Sequence, residues 1–171
     1  MNKEQIVLEN ILTRSSVRNF AADVVTEPDL DDMLRAAMQA PSAGNEQAWE
    51  FVVLTGTPVT DYLAVAPNVP KGVSAGILVC LDMAREKYPD FRTASQDCAA
   101  AVENILLVAH AKGLGAVWTA VFPEGQAWLR TNLGLPEGIV PFAFIPVGRP
   151  AQEPTPVASR FDVAWVHRQK W

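Results

Sequence analysis

The chain has 171 residues, of which 49% are hydrophobic and 19% are charged, and its formal net charge is −5. The composition is that of a folded protein, and the length predicts one domain spanning residues 1–171. The negative charge argues against a nucleic-acid partner. No apolar stretch reaches the roughly 18 residues of a membrane span, and residues 1–10 lack the apolar core of a signal peptide. We therefore expect a cytoplasmic protein that does not bind membranes.

The chain has few residues suited to metal binding or nucleophilic catalysis. Its two cysteines, Cys80 and Cys98, lie in apolar patterns away from any metal-ligand spacing, so we expect buried, reduced thiols. Its two histidines, His110 and His167, have no nucleophile or second ligand nearby in sequence, which favours structural roles. The sequence therefore predicts no metal site and no catalytic side chain.

The first half of the chain predicts two helices, a polar loop and two strands. Apolar residues at helical spacing indicate a helix over residues 2–13 and another that begins at Thr26, with acids in its first turns. The loop 41–49 then leads to a compact apolar strand at 50–54. The wholly apolar run at 76–81 predicts a strand buried on both faces, which we expect at the centre of a sheet.

The second half of the chain predicts a long helix, two strands and a short helix between them. The long helix spans residues 95–112. Strands at 116–121 and 142–147 flank a short helix at 126–133. Pro146 indicates that the last strand lies at a sheet edge or ends there. Because helices and strands mix without strict βαβ alternation, we expect one α+β domain.

The first candidate binding motif is the basic cluster Arg14–Arg18. It places two guanidinium groups and two hydroxyls within five residues, directly after the first predicted helix. Guanidinium and hydroxyl groups are the donors that bind a phosphate dianion. A solvated basic turn would have the same composition, so this motif alone leaves both interpretations open.

The second candidate motif is the loop Pro41–Trp49. It combines a rigid turn, a hydroxyl, two amide side chains and an aromatic ring between a helix and a strand. The amides of Asn45 and Gln47 can donate and accept hydrogen bonds, as the polar edge of an isoalloxazine or another planar heterocycle requires. The alternative is a capped turn with a core tryptophan.

Together, R-S-S-V-R-x-F at residues 14–20 and P-S-A-G-N-x-Q-x-W-x-F at residues 41–51 resemble the motifs of the nitroreductase family of FMN enzymes. The resemblance extends over nearly the whole chain. It implies an α+β fold with a central mixed, mostly antiparallel sheet flanked by helices. It also implies an intertwined homodimer with active sites at the interface, in which the tail 150–171 wraps over the partner subunit. Further matching segments are 68–71, 113–118, 147–150 and 159–160.

The resemblance implies a role for each matching residue. Arg14, Ser15 and Ser16 would bind the phosphate and ribityl end of FMN. Arg18 would reach the pyrimidine edge, where a cation stabilises the negative charge that reduction leaves on the flavin. Lys71 matches another position near the pyrimidine, although an ordinary surface lysine would fit the same pattern.

The remaining matches concern the loop, the segment beside flavin N5 and the C-terminus. Asn45 or its neighbours would come from the second subunit. The backbone of Trp118–Ala120 matches the segment beside N5, while the Trp118 ring is equally suited to core packing. Arg160 matches the family's C-terminal phosphate-binding arginine, with Arg149 as the alternative. The full predicted set is Arg14, Ser15, Ser16, Arg18, Pro41, Ser42, Ala43, Asn45, Gln47, Lys71, Trp118, Thr119, Ala120, Gly148, Arg149 and Arg160.

The implied activity is ping-pong hydride transfer through N5 of tightly bound FMN, from transiently bound NADH or NADPH to a nitroaromatic, quinone, enone or similar acceptor. The chain has no Gly-rich dinucleotide fingerprint, so the nicotinamide would bind over the flavin. Alternatives are an FMN storage or sensing protein without efficient turnover, and a dehalogenase or flavin-cleaving relative. The chain departs from the family at Ala48, where proline is common, and at Asp97, where glutamine is common. The change at Asp97 either loosens a flavin contact or marks a subfamily.

Overall fold

The computed structural model describes residues 2–88, 91–155 and 158–171. In these ranges the chain forms five α-helices and a five-stranded sheet. The helices are α1 (Lys3–Thr13), α2 (Glu27–Ala37), α3 (Thr57–Val65), α4 (Phe91–Ala111) and α5 (Pro123–Leu133). The strands are β1 (Trp49–Thr55), β2 (Ala75–Asp82), β3 (Gly115–Ala116), β4 (Thr119–Ala120) and β5 (Ile139–Gly148). Single 3-10 turns occupy Ala43–Asn45 and Val163–Trp165.

The sheet has the order β1-β2-β5-β3, and β4 also pairs with β5. All of these pairings are antiparallel. The predicted α+β class and antiparallel character are confirmed, but the expected mixture is wrong for the described strands, since none of them pair in parallel. Seven of the eight residues of β2 are buried between β1 and β5, as the apolar run at 76–81 predicted.

The position of β5 shows that the edge alternative predicted from Pro146 is wrong, while the strand ends at Gly148, two residues after that proline. β5 is an interior strand, because β2 pairs along one side and β3 and β4 pair along the other. On the second side, Phe144 pairs with Thr119 and Val147 pairs with Ala116, so Pro146 lies at the gap between the two short strands. Proline lacks the N–H that a continuous ladder would use, and the gap removes the need for it.

Two hydrophobic layers cover the sheet. On one face, α2 and α4 pack against the strands, and Met33 and Ile105 are fully buried there. On the other face, α3 and α5 surround Tyr62 and Phe144, whose rings meet edge-on with centroids 4.8 Å apart. β2 serves both layers because its successive side chains point to opposite faces of the sheet.

The structure adds one helix and divides one strand. Helix α3, which the sequence analysis missed, has Pro58 in its first turn, where the missing N–H is not needed, and buries Val59 and Tyr62. The single strand expected at 116–121 is wrong, because the chain leaves the ladder at Val117–Trp118 and forms β3 and β4 instead. Helices α4 and α5 also begin earlier than predicted.

Helix α1 and the C-terminal residues leave large apolar side chains in solvent. Asn2 caps α1, but none of the helix residues is buried. All residues from 158 to 171 are exposed, including Phe161, Trp165 and Trp171. No helix in the described ranges is both long and apolar enough to cross a membrane. At least half of each aliphatic side chain on the exposed face of α1 is accessible: Ile6, Val7, Leu8, Ile11 and Leu12.

Candidate functional site

The segment Arg14–Arg18 lies against the short strand β3. The N–H of Val17 donates to the carbonyl of Ala116 at 3.1 Å. A Cβ at Gly115 would lie 2.6 Å from Cγ1 of Val17, so this close approach requires glycine. Gly115, the first residue of β3, therefore sets the path of the basic segment.

The chain then continues along the end of β5. Phe20 forms an isolated antiparallel bridge with Pro150, and the N–H of Ala21 donates to the carbonyl of Arg149 at 2.9 Å. Gly148 is buried beneath Phe20, whose Cδ1 would lie 2.8 Å from a Cβ at that position. The structure thus places the predicted residues Gly148 and Arg149 next to the basic segment.

The side chains of this segment divide between a helix contact and a cavity. Arg14 turns towards α4, where its Nε lies 3.6 Å from Oε1 of Glu103, and 16% of its side chain is exposed. A cavity of about 240 Å³ lies between residues 15–19 and residues 152–155. Ser15, Ser16 and Arg18 line it on one side, and their hydroxyl and guanidinium groups are donors of the kind that bind a phosphate, while Glu153 adds a carboxylate on the other side.

The loop Pro41–Gln47 is built on left-handed backbone. Gly44, Asn45 and Gln47 have φ angles of 57°, 57° and 53°, which are unusual for the two residues that are not glycine. The hydroxyl of Ser42 accepts the N–H of Gln47 at 3.1 Å and closes the loop. Asn45 and Gln47 are both exposed, so their amide groups are accessible to a ligand.

Asp97 of α4 binds the start of this loop. Its two carboxylate oxygens lie 3.0 and 3.2 Å from the backbone nitrogen of Ala43, which donates to them. Asp97 is only 6% exposed. Asp97, the residue that departs from the family pattern, therefore contacts the loop backbone directly.

The two motifs lie at opposite ends of the sheet in a single chain. The segment 14–18 lies against β3, which pairs with β5 at Val147. The loop 41–47 leads into β1 at Trp49, whose partner on β2 pairs in turn with Val140 of β5. At about 3.3 Å per residue, the seven residues from Val140 to Val147 span roughly 23 Å. One chain therefore does not bring the two motifs together.

The break between β3 and β4 places Trp118 at the surface. Its side chain is 40% exposed, and its ring packs edge-on against Phe142 with centroids 5.6 Å apart. The buried hydroxyl of Thr119 donates to the carbonyl of Phe144 at 2.6 Å. The Trp118 ring thus packs on Phe142 and is also partly exposed to solvent. The side chain of Thr119 holds the backbone of residues 118–120 against β5.

Asn68 ties a second predicted region to this backbone. Its Nδ2 donates to the carbonyl of Ala120 at 2.7 Å. Lys71 is exposed in the turn before β2, whose first residue pairs with Val147. Lys71 therefore lies towards the same end of the sheet as the basic segment, and Thr119 and Ala120 pair with the middle of β5.

The two candidate C-terminal arginines are both exposed. Arg149 forms a long ion pair, with its Nε 3.9 Å from Oδ2 of Asp23. Arg160 lies in the exposed tail, and no ion pair to it occurs within residues 2–88, 91–155 and 158–171. Within one chain, Arg149 lies beside the basic segment, whereas Arg160 lies in the exposed tail.

The predicted burial of both cysteines is confirmed, and each histidine contacts a neighbouring side chain. Cys80 and Cys98 are buried free thiols, and burial raises the pKa of each to about 12. His110 Nε2 lies 2.8 Å from Oγ1 of Thr13, and burial together with the Arg14 guanidinium lowers its pKa. His167 stacks on Trp171 in the tail. The described residues contain no cluster of groups suited to hold a metal ion.

Two residues that contact the motifs were missed by the sequence analysis. Glu103 pairs with Arg14, and Arg85 donates from Nη1 to the carbonyl of Gln47 at 2.9 Å. Glu103 could have been found from its charge, because it lies on a largely apolar helix and a charged residue in such a setting usually has a partner. Arg85 gave no comparable signal, since an arginine after a strand is ordinarily solvated.

The Nitroreductase family model matches residues 11–68 and 63–149, so the chain belongs to the nitroreductase family. An Archaeoglobus fulgidus protein with the provisional name NADH dehydrogenase/NAD(P)H nitroreductase is 40% identical over 171 residues. That alignment covers 96% of this chain and 98% of the relative. The family expected from the two motifs is thereby confirmed.

Solved structures show the same fold. A provisionally named NADH dehydrogenase/NAD(P)H nitroreductase from Parabacteroides distasonis superposes with a TM-score of 0.84 at 36% identity, covering 97% of this chain and 99% of that one. A provisionally named nitroreductase from Desulfovibrio desulfuricans, solved in complex with FMN, gives a TM-score of 0.79 at 33% identity. This second match covers 96% of this chain and 94% of that one.

Proposed function

We propose that the chain is an FMN-dependent NAD(P)H oxidoreductase that reduces a nitroaromatic, quinone, enone or similar small molecule. The observation that carries the proposal is the cavity at residues 15–19, lined by Ser15, Ser16 and Arg18 and beside the largely buried Arg14, in a chain of the nitroreductase family. The FMN complex of the Desulfovibrio desulfuricans relative supports the choice of cofactor. Bound FMN would supply the centre that accepts hydride from NADH or NADPH and passes it to the acceptor.

The chain's own residues would bind and orient the cofactor. Ser15 and Ser16 offer hydroxyl donors, and Arg14 and Arg18 offer guanidinium groups for the phosphate and the pyrimidine edge. The positive charge of Arg18 would also stabilise negative charge on the pyrimidine ring. The exposed Trp118 would flank the ring, because it lies beside a backbone segment that Thr119 holds in place.

We propose no protein acid or base for the reaction. Among the described residues, the imidazole near the basic segment is that of His110, whose Nε2 is hydrogen-bonded to Oγ1 of Thr13 at 2.8 Å. Both thiols are buried with their pKa raised to about 12, which keeps them protonated and unreactive near neutral pH. The protein would therefore contribute binding, orientation and electrostatic stabilisation.

Complete sites require a second copy of the chain in our proposal. The segment 14–18 and the loop 41–47 lie at opposite ends of β5, so one flavin would contact these elements from two different subunits. The exposed apolar side chains of α1 and the aromatic residues of 158–171 supply surface for such a homodimer. In this arrangement the tail wraps over the partner, and Arg160 contributes to the partner's phosphate site.

The proposed activity is tested by anaerobic reduction of the FMN-loaded protein. NADH and NADPH are added separately, and bleaching of the flavin absorbance is followed. A panel of nitroaromatic, quinone and enone acceptors is then added to the reduced protein. We expect rapid bleaching, reoxidation and multiple turnover with at least one acceptor. A protein that cannot be loaded with FMN contradicts the whole proposal, whereas FMN binding without turnover would indicate storage or sensing.

The shared site is tested by complementation between two variants with weakened FMN binding, assayed at an FMN concentration that loads wild-type sites but few sites of either variant. Arg14→Ala and Gln47→Ala are produced separately and also co-expressed. In a mixed dimer, one of the two sites would combine an intact Arg14 with an intact Gln47 from the other subunit. Random pairing would therefore restore about one quarter of the wild-type sites. Activity of the mixture no higher than that of the single variants would rule out sharing.

A further inference from the structure

We infer that Asp97 is a positioning residue that fixes the conformation of the loop 42–47, and this inference rests on the proposed function of that loop in binding FMN. Asp97 lies on α4, and its side chain is almost completely buried. Its carboxylate would act on the cofactor through the loop backbone, because both of its oxygens accept the N–H of Ala43.

The loop needs external support because its backbone is strained. Asn45 and Gln47 have φ angles of 57° and 53°, in the left-handed region that side chains disfavour. Such residues persist at functional sites when the surrounding structure holds them in place. The bonds within the loop are short-range: Asn45 N–H donates to the carbonyl of Ser42 at 3.1 Å, and Glu46 N–H donates to the carbonyl of Ala43 at 3.0 Å.

The supports come from outside the loop at both of its ends. At the start, Asp97 binds the N–H of Ala43. At the end, Arg85 donates to the carbonyl of Gln47 at 2.9 Å, and the buried Glu46 accepts the backbone N–H of Lys87 at 2.7 Å. The end of the loop is thus held by two residues that follow β2, Arg85 and Lys87, whereas Asp97 holds the start of the loop to α4.

The contact of Asp97 is well suited to hold the start of the loop. Both carboxylate oxygens lie within hydrogen-bond distance of the N–H of Ala43, and the side chain is almost completely buried. Its removal would leave the N–H of Ala43 without this partner and would free Ser42, whose hydroxyl closes the loop on Gln47. The amide side chains of Asn45 and Gln47 would then lose the fixed directions that ligand binding requires.

Three variants test the inference. Asp97→Ala removes the acceptor, whereas Asp97→Asn keeps one acceptor oxygen and removes the charge. Ala43→Pro leaves Asp97 intact and removes the donor N–H. The extended conformation of Ser42, with φ −139° and ψ 153°, suits a following proline, whose Cδ would replace the donor hydrogen and displace the Asp97 carboxylate. Asp31→Ala, at an exposed acid on α2, is the matched control.

FMN affinity and the visible circular dichroism of bound FMN are measured for each variant, with thermal unfolding as a check of folding. We expect Asp97→Ala and Ala43→Pro to weaken FMN binding at least about tenfold and to change the flavin spectrum. Asp97→Asn should stay within about threefold of wild type because it retains an acceptor. The control should match wild type.

Several results would overturn the inference. One is a folded Asp97→Ala protein with wild-type affinity and spectrum. If that variant does not fold, Ala43→Pro decides, and wild-type binding by it rejects the positioning role. Equal losses in Asp97→Asn and Asp97→Ala would assign the effect to charge instead. Failure of the wild-type protein to bind FMN would contradict the proposed function, so the two failures are distinguishable.

Discussion

The Nε atom of Arg14 lies 3.6 Å from Oε1 of Glu103, so an acid on α4 holds the first arginine of the basic segment. The arginine is largely buried, while half of the Glu103 side chain is exposed. The pair therefore orients the guanidinium without enclosing it, and leaves it able to donate further hydrogen bonds. A bound phosphate would share Arg14 with Glu103.

Replacing Arg14 by alanine should weaken FMN binding. Loss of one charged hydrogen bond costs about 1.5–3 kcal/mol, which is roughly a 10- to 150-fold increase in Kd. The Kd is measured by quenching of flavin fluorescence on titration with apoprotein. Arg35→Ala is a suitable control, because Arg35 is an exposed arginine on α2. An unchanged Kd for Arg14→Ala would remove this residue from the site.

Replacing Gly76 by alanine should destabilise the fold. A Cβ at this position would lie 2.1 Å from Cζ of Phe144 on the neighbouring strand. Overpacking of this kind costs about 1–3 kcal/mol in the free energy of unfolding, measured by urea denaturation. Phe144→Leu shortens the opposing side chain, so the double variant should lose less than the sum of the single variants. Additive losses would show that the ring is not the obstacle.

Both cysteines should resist modification while the protein is folded. Burial raises the pKa of Cys80 and of Cys98 to about 12, so at pH 8 only about one thiol in 10⁴ is ionised. A coloured thiol-reactive reagent should detect essentially no thiol in native protein and both in denaturant. Labelling of native protein at the rate of a free cysteine would contradict the predicted burial.

The stability of the fold should fall as His110 is driven towards protonation. Burial and Arg14 lower the pKa of His110 in the folded state, whereas an unfolded histidine titrates near about 6.5. The unfolded state therefore binds more protons, and this group lowers stability as pH falls from about 6.5 to its folded pKa, with no further loss below it.

This effect is measured by urea unfolding at several pH values and one protein concentration. His110→Gln keeps a polar group near Thr13 but does not titrate. The difference in free energy of unfolding between wild type and variant should shift in favour of the variant as the solution is acidified. Parallel pH profiles for the two proteins would exclude a contribution from His110.

The elements with local sequence signals were predicted well. Thr26 and the acids after it mark the start of α2, and Thr26 does cap that helix. The apolar run at 76–81 predicted a central strand, since a strand buried on both faces needs no alternation. The family followed from two local motifs, and the match to the Nitroreductase family model confirms it.

Features that depend on distant residues could not be predicted in the same way. Pro146 suggested a sheet edge, because the gap between β3 and β4 that accommodates it is visible only in the assembled sheet. Asp97 differs from the glutamine that is common in the family, but the sequence does not indicate that it binds Ala43, 54 residues away. The assignments of individual residues to FMN remain predictions, since the two motifs meet only if two chains combine.

The close contact of Gly115 with Val17 limits how the sequence of this protein can diverge. A side chain at 115 would collide with both the Cβ and the Cγ atoms of Val17, so a smaller residue at 17 would not by itself restore the fit. Change at 115 would also require the whole basic segment to shift away from β3. Among homologues that retain the basic motif at residues 14–18, position 115 should therefore be nearly invariant.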